Sequence, residues 1–246
     1  MSRGAALDFI ALNTHRPVFS DVRLRRAVNY AIDRAALARL GSPFSRLPEH
    51  PIDHYLTPGV PGYGDVRIYP ATPDVAKARQ LARGRAGTTA VLYTCDVAPC
   101  DQQAKIIKTD LAAIGTRVKI RAFSVTTLFA KVTRPGEPFD MSYTSWVPDY
   151  PDPVAMLNLL LEGGTVIPTF DDRTYRARLA GAAKLTGPER YLTYARLDAE
   201  LARDAAPWVA YGNPSSHELF SARMGCQVYG VYGLDLAALC IKKRTR

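Results

Sequence analysis

At 246 residues the chain can bury a sizeable core, and with 47% hydrophobic and 22% charged residues it has the composition of a folded globular protein, not a disordered one. No apolar run approaches the ~20 residues of a membrane-spanning helix, and the opening Met1–Asp8 holds no apolar stretch long enough for a signal peptide. The net charge of +9 admits nucleic acid, a membrane surface or an acidic ligand. Yet the basic residues are scattered: Arg23, Arg25, Arg26 and Arg34 share one stretch, Arg173, Arg176 and Arg178 another, and Lys242 to Arg246 close the chain. No basic and aromatic residues interleave as single-strand binders require, so the expectation is solvated helix faces with apolar-packed stems and no nucleic-acid partner.

In chain order, residues 7–13 predict a strand leading into a polar turn. A chain that starts almost inside a strand reads as a piece of something longer. Ser20-Asp21 offers an N-cap for one helix over 22–40, stopped by Gly41. Residues 42–70 are rich in proline, glycine and aromatics without periodicity, and a loop of that length inside a compact domain is usually functional. Thr72-Pro73 predicts a cap with proline at the first helical position, and a helix over 74–83. A strand at 88–95, a helix at 101–114 and a strand at 117–123 follow; in the last, Val118, Ile120 and Ala122 alternate and are expected to face inward. A short helix at 126–132, a strand at 139–147, helices at 172–185 and 188–203, and an extended segment at 207–211 complete the pattern. The order strand, helix, strand, helix, strand predicts an α/β lobe with a partly parallel sheet, entered and left through the segments at 9–13 and 207–211.

Enzymatic signatures are missing. The sequence holds no G-x-S-x-G elbow, phosphate loop or H-E-x-x-H pair, and His15, His50, His54 and His217 lack metal-ligand spacing. Neither catalysis, nor a metal, nor a cofactor is expected. Cys95 and Cys100 are too far apart in sequence for a C-x-x-C redox motif; they, and Cys226 with Cys240, are either ordinary thiols or two disulfides.

The informative stretch is Phe139-Asp140-Met141-Ser142-Tyr143-Thr144-Ser145-Trp146-Val147-Pro148-Asp149-Tyr150-Pro151-Asp152-Pro153. A strand ends in tryptophan and a proline-stiffened acidic turn, at the end of an open α/β sheet where ligand crevices form. Asp149 could hold a ligand ammonium or cap the next helix; Trp146 could wall a ligand, by apolar or cation–π contact, or sit in the core. Residue chemistry alone leaves both alternatives open.

Several stretches together resemble one family. Phe9-Ile10-Ala11-Leu12-Asn13-Thr14, then Pro17-Val18-Phe19-Ser20-Asp21-Val22-Arg23-Leu24-Arg25-Arg26-Ala27-Val28-Asn29-Tyr30-Ala31-Ile32-Asp33-Arg34, is similar to a stretch typical of family 5 solute-binding proteins, the peptide, nickel and glycoside receptors of ABC importers. The similarity continues through Pro58–Tyr63, Tyr69–Leu81, Gln102–Val118, Phe139–Pro153, Pro188-Glu189-Arg190 and Ala206-Pro207-Trp208-Val209, in order along the chain.

The resemblance implies the C-terminal lobe of a two-lobed periplasmic-binding-protein-like fold (type II, cluster C). Residues 1–212 would form that lobe, and 213–246 a return segment belonging to an N-terminal lobe not contained here. It further implies an extracytoplasmic receptor, periplasmic or anchored at the cell surface. Its partners would be a small-molecule or peptide ligand and ABC permease subunits. The lobes would close by hinge motion. Asp149 would be the ammonium partner, with Trp146, Ser145, Thr144 and Tyr150 completing the site; the family pattern has glycine where Ser145 stands. A ligand-sensing module of a larger fused regulatory protein is the alternative, with a thiol-redox protein using Cys95 and Cys100 as a further rival.

Overall fold

A computed structural model describes residues 2–44, 47–85, 87–158, 169–216, 218–230 and 233–242. At its centre is a five-stranded mixed sheet built from β1 (Leu7–Leu12), β2 (Thr89–Cys95), β3 (Arg117–Phe123), β4 (Met141–Trp146) and β5 (Trp208–Gly212), in spatial order β3-β2-β4-β1-β5. Strand β2 runs parallel to β3 and β4, whereas β1 is antiparallel to both β4 and β5. The predicted segments of entry and exit are therefore neighbours, with Ile10 opposite Val209.

Strand β1 is buried at all six positions because both faces of the sheet are covered. Ile10 and Leu12 join one core cluster with Val209 and Tyr211 of β5 and apolar residues of α1 (Val22–Ala31), α2 (Arg34–Leu40), α3 (Val75–Leu81), α4 (Cys100–Ala112) and α5 (Val125–Val132). Leu7, Phe9 and Ala11 join the other with Trp208, Ala210, the 52–60 segment, α6 (Arg173–Ala183) and α7 (Gly187–Glu200). A strand packed on two sides loses the apolar/polar alternation of a half-solvated one, which is why β1 reads as a continuous apolar run apart from Asp8.

Three expectations are corrected. The single helix over 22–40 is two helices, because Asp33 accepts from Ala36 N and caps a new start while its own N–H goes to Asp110. Thr72-Pro73 does not cap α3; Asp74 does, accepting from Lys77 N. Of the alternating residues in β3 only Val118 is buried; Ile120 is 37% exposed and Ala122 is exposed, since β3 is an edge strand with a single neighbour.

The arginines expected on a solvated face also divide. Arg25 and Arg34 are buried and serve as internal hydrogen-bond donors: Arg25 to the carbonyls of Ala205 and Phe19, Arg34 to those of Ala210 and Asn29 and to Asn29 Oδ1. A guanidinium carries five donors in a fixed fork, enough to gather carbonyls from two elements.

Beyond β5 the chain forms only short ladders, pairing Ser2–Arg3 with Ser215–Ser216, Met224–Gly225 with Cys240–Ile241 and Tyr229–Gly230 with Gly233–Leu234. Both suggested cysteine pairs are bonded: Cys95–Cys100 closes the turn between β2 and α4, and Cys226–Cys240 staples the final segment, with Cα separations of 5.5 and 5.4 Å. His217 and the basic end beyond Lys242 lie outside the described residues. Among the described residues no helix is long and apolar enough to cross a membrane, and no three His, Cys, Asp or Glu gather to hold a metal ion.

Candidate functional site

The turn after β4 is held by three fixed points. Trp146 Nε1 donates to the Ala155 carbonyl at 2.8 Å, and its ring, partly buried, packs against the second core cluster. Asp152 accepts from Val154 N, capping the five-residue π-helical turn Val154–Asn158. The same carboxylate receives both terminal nitrogens of Arg190 at 2.7 Å each, a bidentate pair joining the turn to α7. Burial opposes ionisation of Asp152, but the Arg190 hydrogen bonds and charge hold its pKa below the usual carboxylate range.

Within this frame the five predicted residues fall in different environments. Asp149 is exposed and forms no hydrogen bond or ion pair among the described residues; the capping role open to it in the sequence belongs to Asp152. Tyr150 is 44% exposed beside it. Trp146 is half-buried, its indole N–H spent within the protein. Thr144 is 1% exposed, opposite Phe9 in the sheet. Ser145 lies opposite Asp8. The turn therefore presents Asp149 and Tyr150 outward on a base fixed by Trp146, Asp152 and Arg190.

The long loop at 42–70 behaves differently. A cleft of about 740 Å³ opens along it, lined by Arg34, Asp53, His54, Tyr63, Arg67 and Tyr69 among others. Its buried charged groups Arg34, Asp53 and His54 are already engaged, whereas Asp65 and Arg67 at its rim are exposed. Asp53 accepts from Ile68 N, Tyr69 N and His54 Nδ1, and Asp198 of α7 accepts from Tyr55 N and Leu56 N, with His54 Nε2 at 3.9 Å. Burial works against a charged His54, yet Asp53 and Asp198 outweigh it and raise the pKa. Burial raises Asp198 to about 6, against the lowering effects of His54 and the two N–H donors. The ring of His54 stacks on Tyr63 at 5.3 Å. The sequence reading weighed His54 only as a metal ligand and missed this network, for which no local spacing exists: Asp198 lies 143 residues from Tyr55.

The comparisons with known proteins decide the family. Residues 2–166 match the description "Bacterial extracellular solute-binding proteins, family 5 Middle". The chain belongs to this family. It is 34% identical over 149 residues to di/tripeptide-binding protein 2 of Pseudomonas aeruginosa, covering 58% of this chain and 27% of that protein. Similarity to heme-binding protein A of Haemophilus influenzae is 25% over 248 aligned residues, covering 95% of this chain and 44% of the relative. Among solved structures, a clavulanic acid biosynthesis oligopeptide binding protein 2 superposes with a TM-score of 0.85 at 21% identity, over 98% of this chain and 47% of that one. A periplasmic binding protein of Helicobacter pylori in complex with the peptide STSA gives 0.79 at 23% identity, over 98% and 48%. The fold is thus that of the type II periplasmic binding proteins, and the chain spans about half the length or less of these relatives. Members of this family are solute-binding proteins of ABC transport systems, not enzymes, and act outside the cytoplasm.

Proposed function

We propose that this chain is the C-terminal ligand-binding lobe of an ABC importer's receptor, residues 1–212 forming the lobe and 213–246 returning to a second lobe. A peptide or other small amine-bearing solute would lie in the cleft between the lobes, its ammonium on Asp149. The observation that carries this reading is the contrast within one turn: Asp152 is consumed by Arg190 and by capping, while Asp149, three residues earlier, is exposed and has no partner among the described residues. A carboxylate on a braced turn loses little freedom when it meets a cation, so more of the interaction survives as affinity. Once closure excludes water, such a charge-assisted contact contributes about 1.5–3 kcal/mol. Tyr150 and the open part of the Trp146 ring would flank the ligand, with Ser145 and Thr144 as the strand beneath.

The 213–246 segment supports the two-lobe reading in its own way. Leu219, Leu236 and Ile241 are 99%, 75% and 70% exposed, on a segment stapled by a disulfide. Apolar side chains held out in this way suit a surface covered by more protein. Permease subunits would then receive the ligand from the closed receptor.

The test is binding by the intact receptor of a dipeptide and its N-acetylated form, for the wild type and Asp149→Asn. Preference for the free amine, lost in the variant, supports the assignment. Binding indifferent to both changes removes Asp149 from the site.

A further inference from the structure

Two buried carboxyl groups meet at one end of β1. Asp8, the polar residue of β1, is 0% exposed, and Glu49, near the end of the segment that follows α2, is 7% exposed. The backbone locates their meeting. Asp8 pairs with Gly212 on one side and Ser145 on the other. A Cβ placed on Gly212 would stand 1.7 Å from Glu49 Oε2, so the Glu49 carboxyl occupies the space over a bare Cα, next to Asp8.

Among the described residues no cation is paired with either carboxyl. Ser145 of β4 lies against Asp8, Tyr143 of β4 and Tyr211 of β5 lie close enough for the pair's charge to raise their pKa values beyond what burial does, and Gln103 of α4 donates to the Tyr211 hydroxyl. His50, next in sequence to Glu49, is bridged through its backbone to Asn213. Among the described residues none of the four carboxyl oxygens receives a hydrogen bond. Two adjacent carboxylates in a dry site cannot both stay ionised, because desolvation and mutual repulsion penalise the same state. One bound proton removes one of the two charges and so relieves both penalties.

We propose that Asp8 and Glu49 form a proton-binding site, one proton shared between their carboxyl groups, which fastens the 41–50 segment to β1 and β5. Burial first, and then the charge of Asp8, hold Glu49 far above the carboxylate range; burial likewise raises Asp8, against the lowering effect of Ser145 and Glu49. The folded state therefore keeps a proton that the unfolded chain releases near pH 4.3, and stability falls as pH rises from there through neutrality. The site borders the turn through Ser145, but it does not rest on the ligand reading and can fail without it.

Infrared difference spectroscopy of the full chain at pH 7.5, where Asp110 and Asp198, each raised to about 6, are largely ionised, tests the proton directly. The C=O band of a protonated carboxylic acid is expected in the wild type and absent in E49Q. Denaturant unfolding between pH 6 and 9 should show the wild-type unfolding constant rising up to about tenfold more per pH unit than that of E49Q, the slope of one extra bound proton. Equal slopes, or no acid band in the wild type, overturn the proposal. If E49Q does not fold, the wild-type spectrum decides alone: a band present at pH 7.5 and lost on alkaline titration supports the shared proton, and its absence at pH 7.5 refutes it.

Discussion

The 42–70 loop and the 146–153 turn are both proline-rich, aromatic and acidic, and both stand out in the sequence as candidate functional segments. Asp53 of the loop and Asp149 of the turn are used in opposite ways. In the loop, Asp53 and His54 are tied to each other and to backbone N–H groups, and Asp198 reaches in from α7 to complete the set. In the turn, Asp152 and Arg190 provide the bracing and Asp149 is left over. An acid that the fold already uses is unavailable to a ligand, whereas an unused acid on a braced turn is available.

If that contrast is right, the largest structural damage comes from the loop. Asp198→Ala leaves two buried N–H groups without acceptors and His54 without one of its anions, and should cost about 3–5 kcal/mol, measured by denaturant unfolding. Arg190→Ala should cost less, about 1–2 kcal/mol, because the Asp152 pair is only part-buried; weakened ligand binding should accompany it as the turn loosens. Comparison of the two variants by thermal melting ranks the two regions.

The pH dependence sharpens the same contrast. The His54 pKa is raised in the folded state, so the stability that its ion pairs contribute is fully present below its ordinary value of about 6.5 and is lost as pH rises through the folded value. His54→Gln should flatten that part of the stability profile. The smallest stability effect belongs to Asp149→Ala itself, within about 0.5 kcal/mol, as for other exposed positions without partners.

Much of this organisation was legible in the sequence, for identifiable reasons. The apolar run of β1 and the face of α4 with Ala104, Ile107 and Leu111 are local patterns, and each has its counterpart in the fold; whether the cysteines pair was left open by the sequence. The break between α1 and α2 was not legible, because Asp33 within a helical pattern reads as an exposed polar residue until Asp110 is seen to hold its N–H. Arg34 is a parallel case: its partners Asn29 and Ala210 lie on different elements, so spacing along the helix says nothing of its burial. At the turn, the sequence marked both Asp149 and Asp152; which of them serves the fold depends on Arg190, 38 residues away.

The most direct test of the ligand assignment is calorimetric titration of the intact receptor with a short peptide and with the same peptide N-acetylated. The account predicts that the wild type binds the free amine at least tenfold more tightly, matching a contact of about 1.4 kcal/mol or more, and that Asp149→Ala abolishes the difference with folding unchanged. Equal affinity of the wild type for both peptides, or a preference that survives in Asp149→Ala, would contradict it.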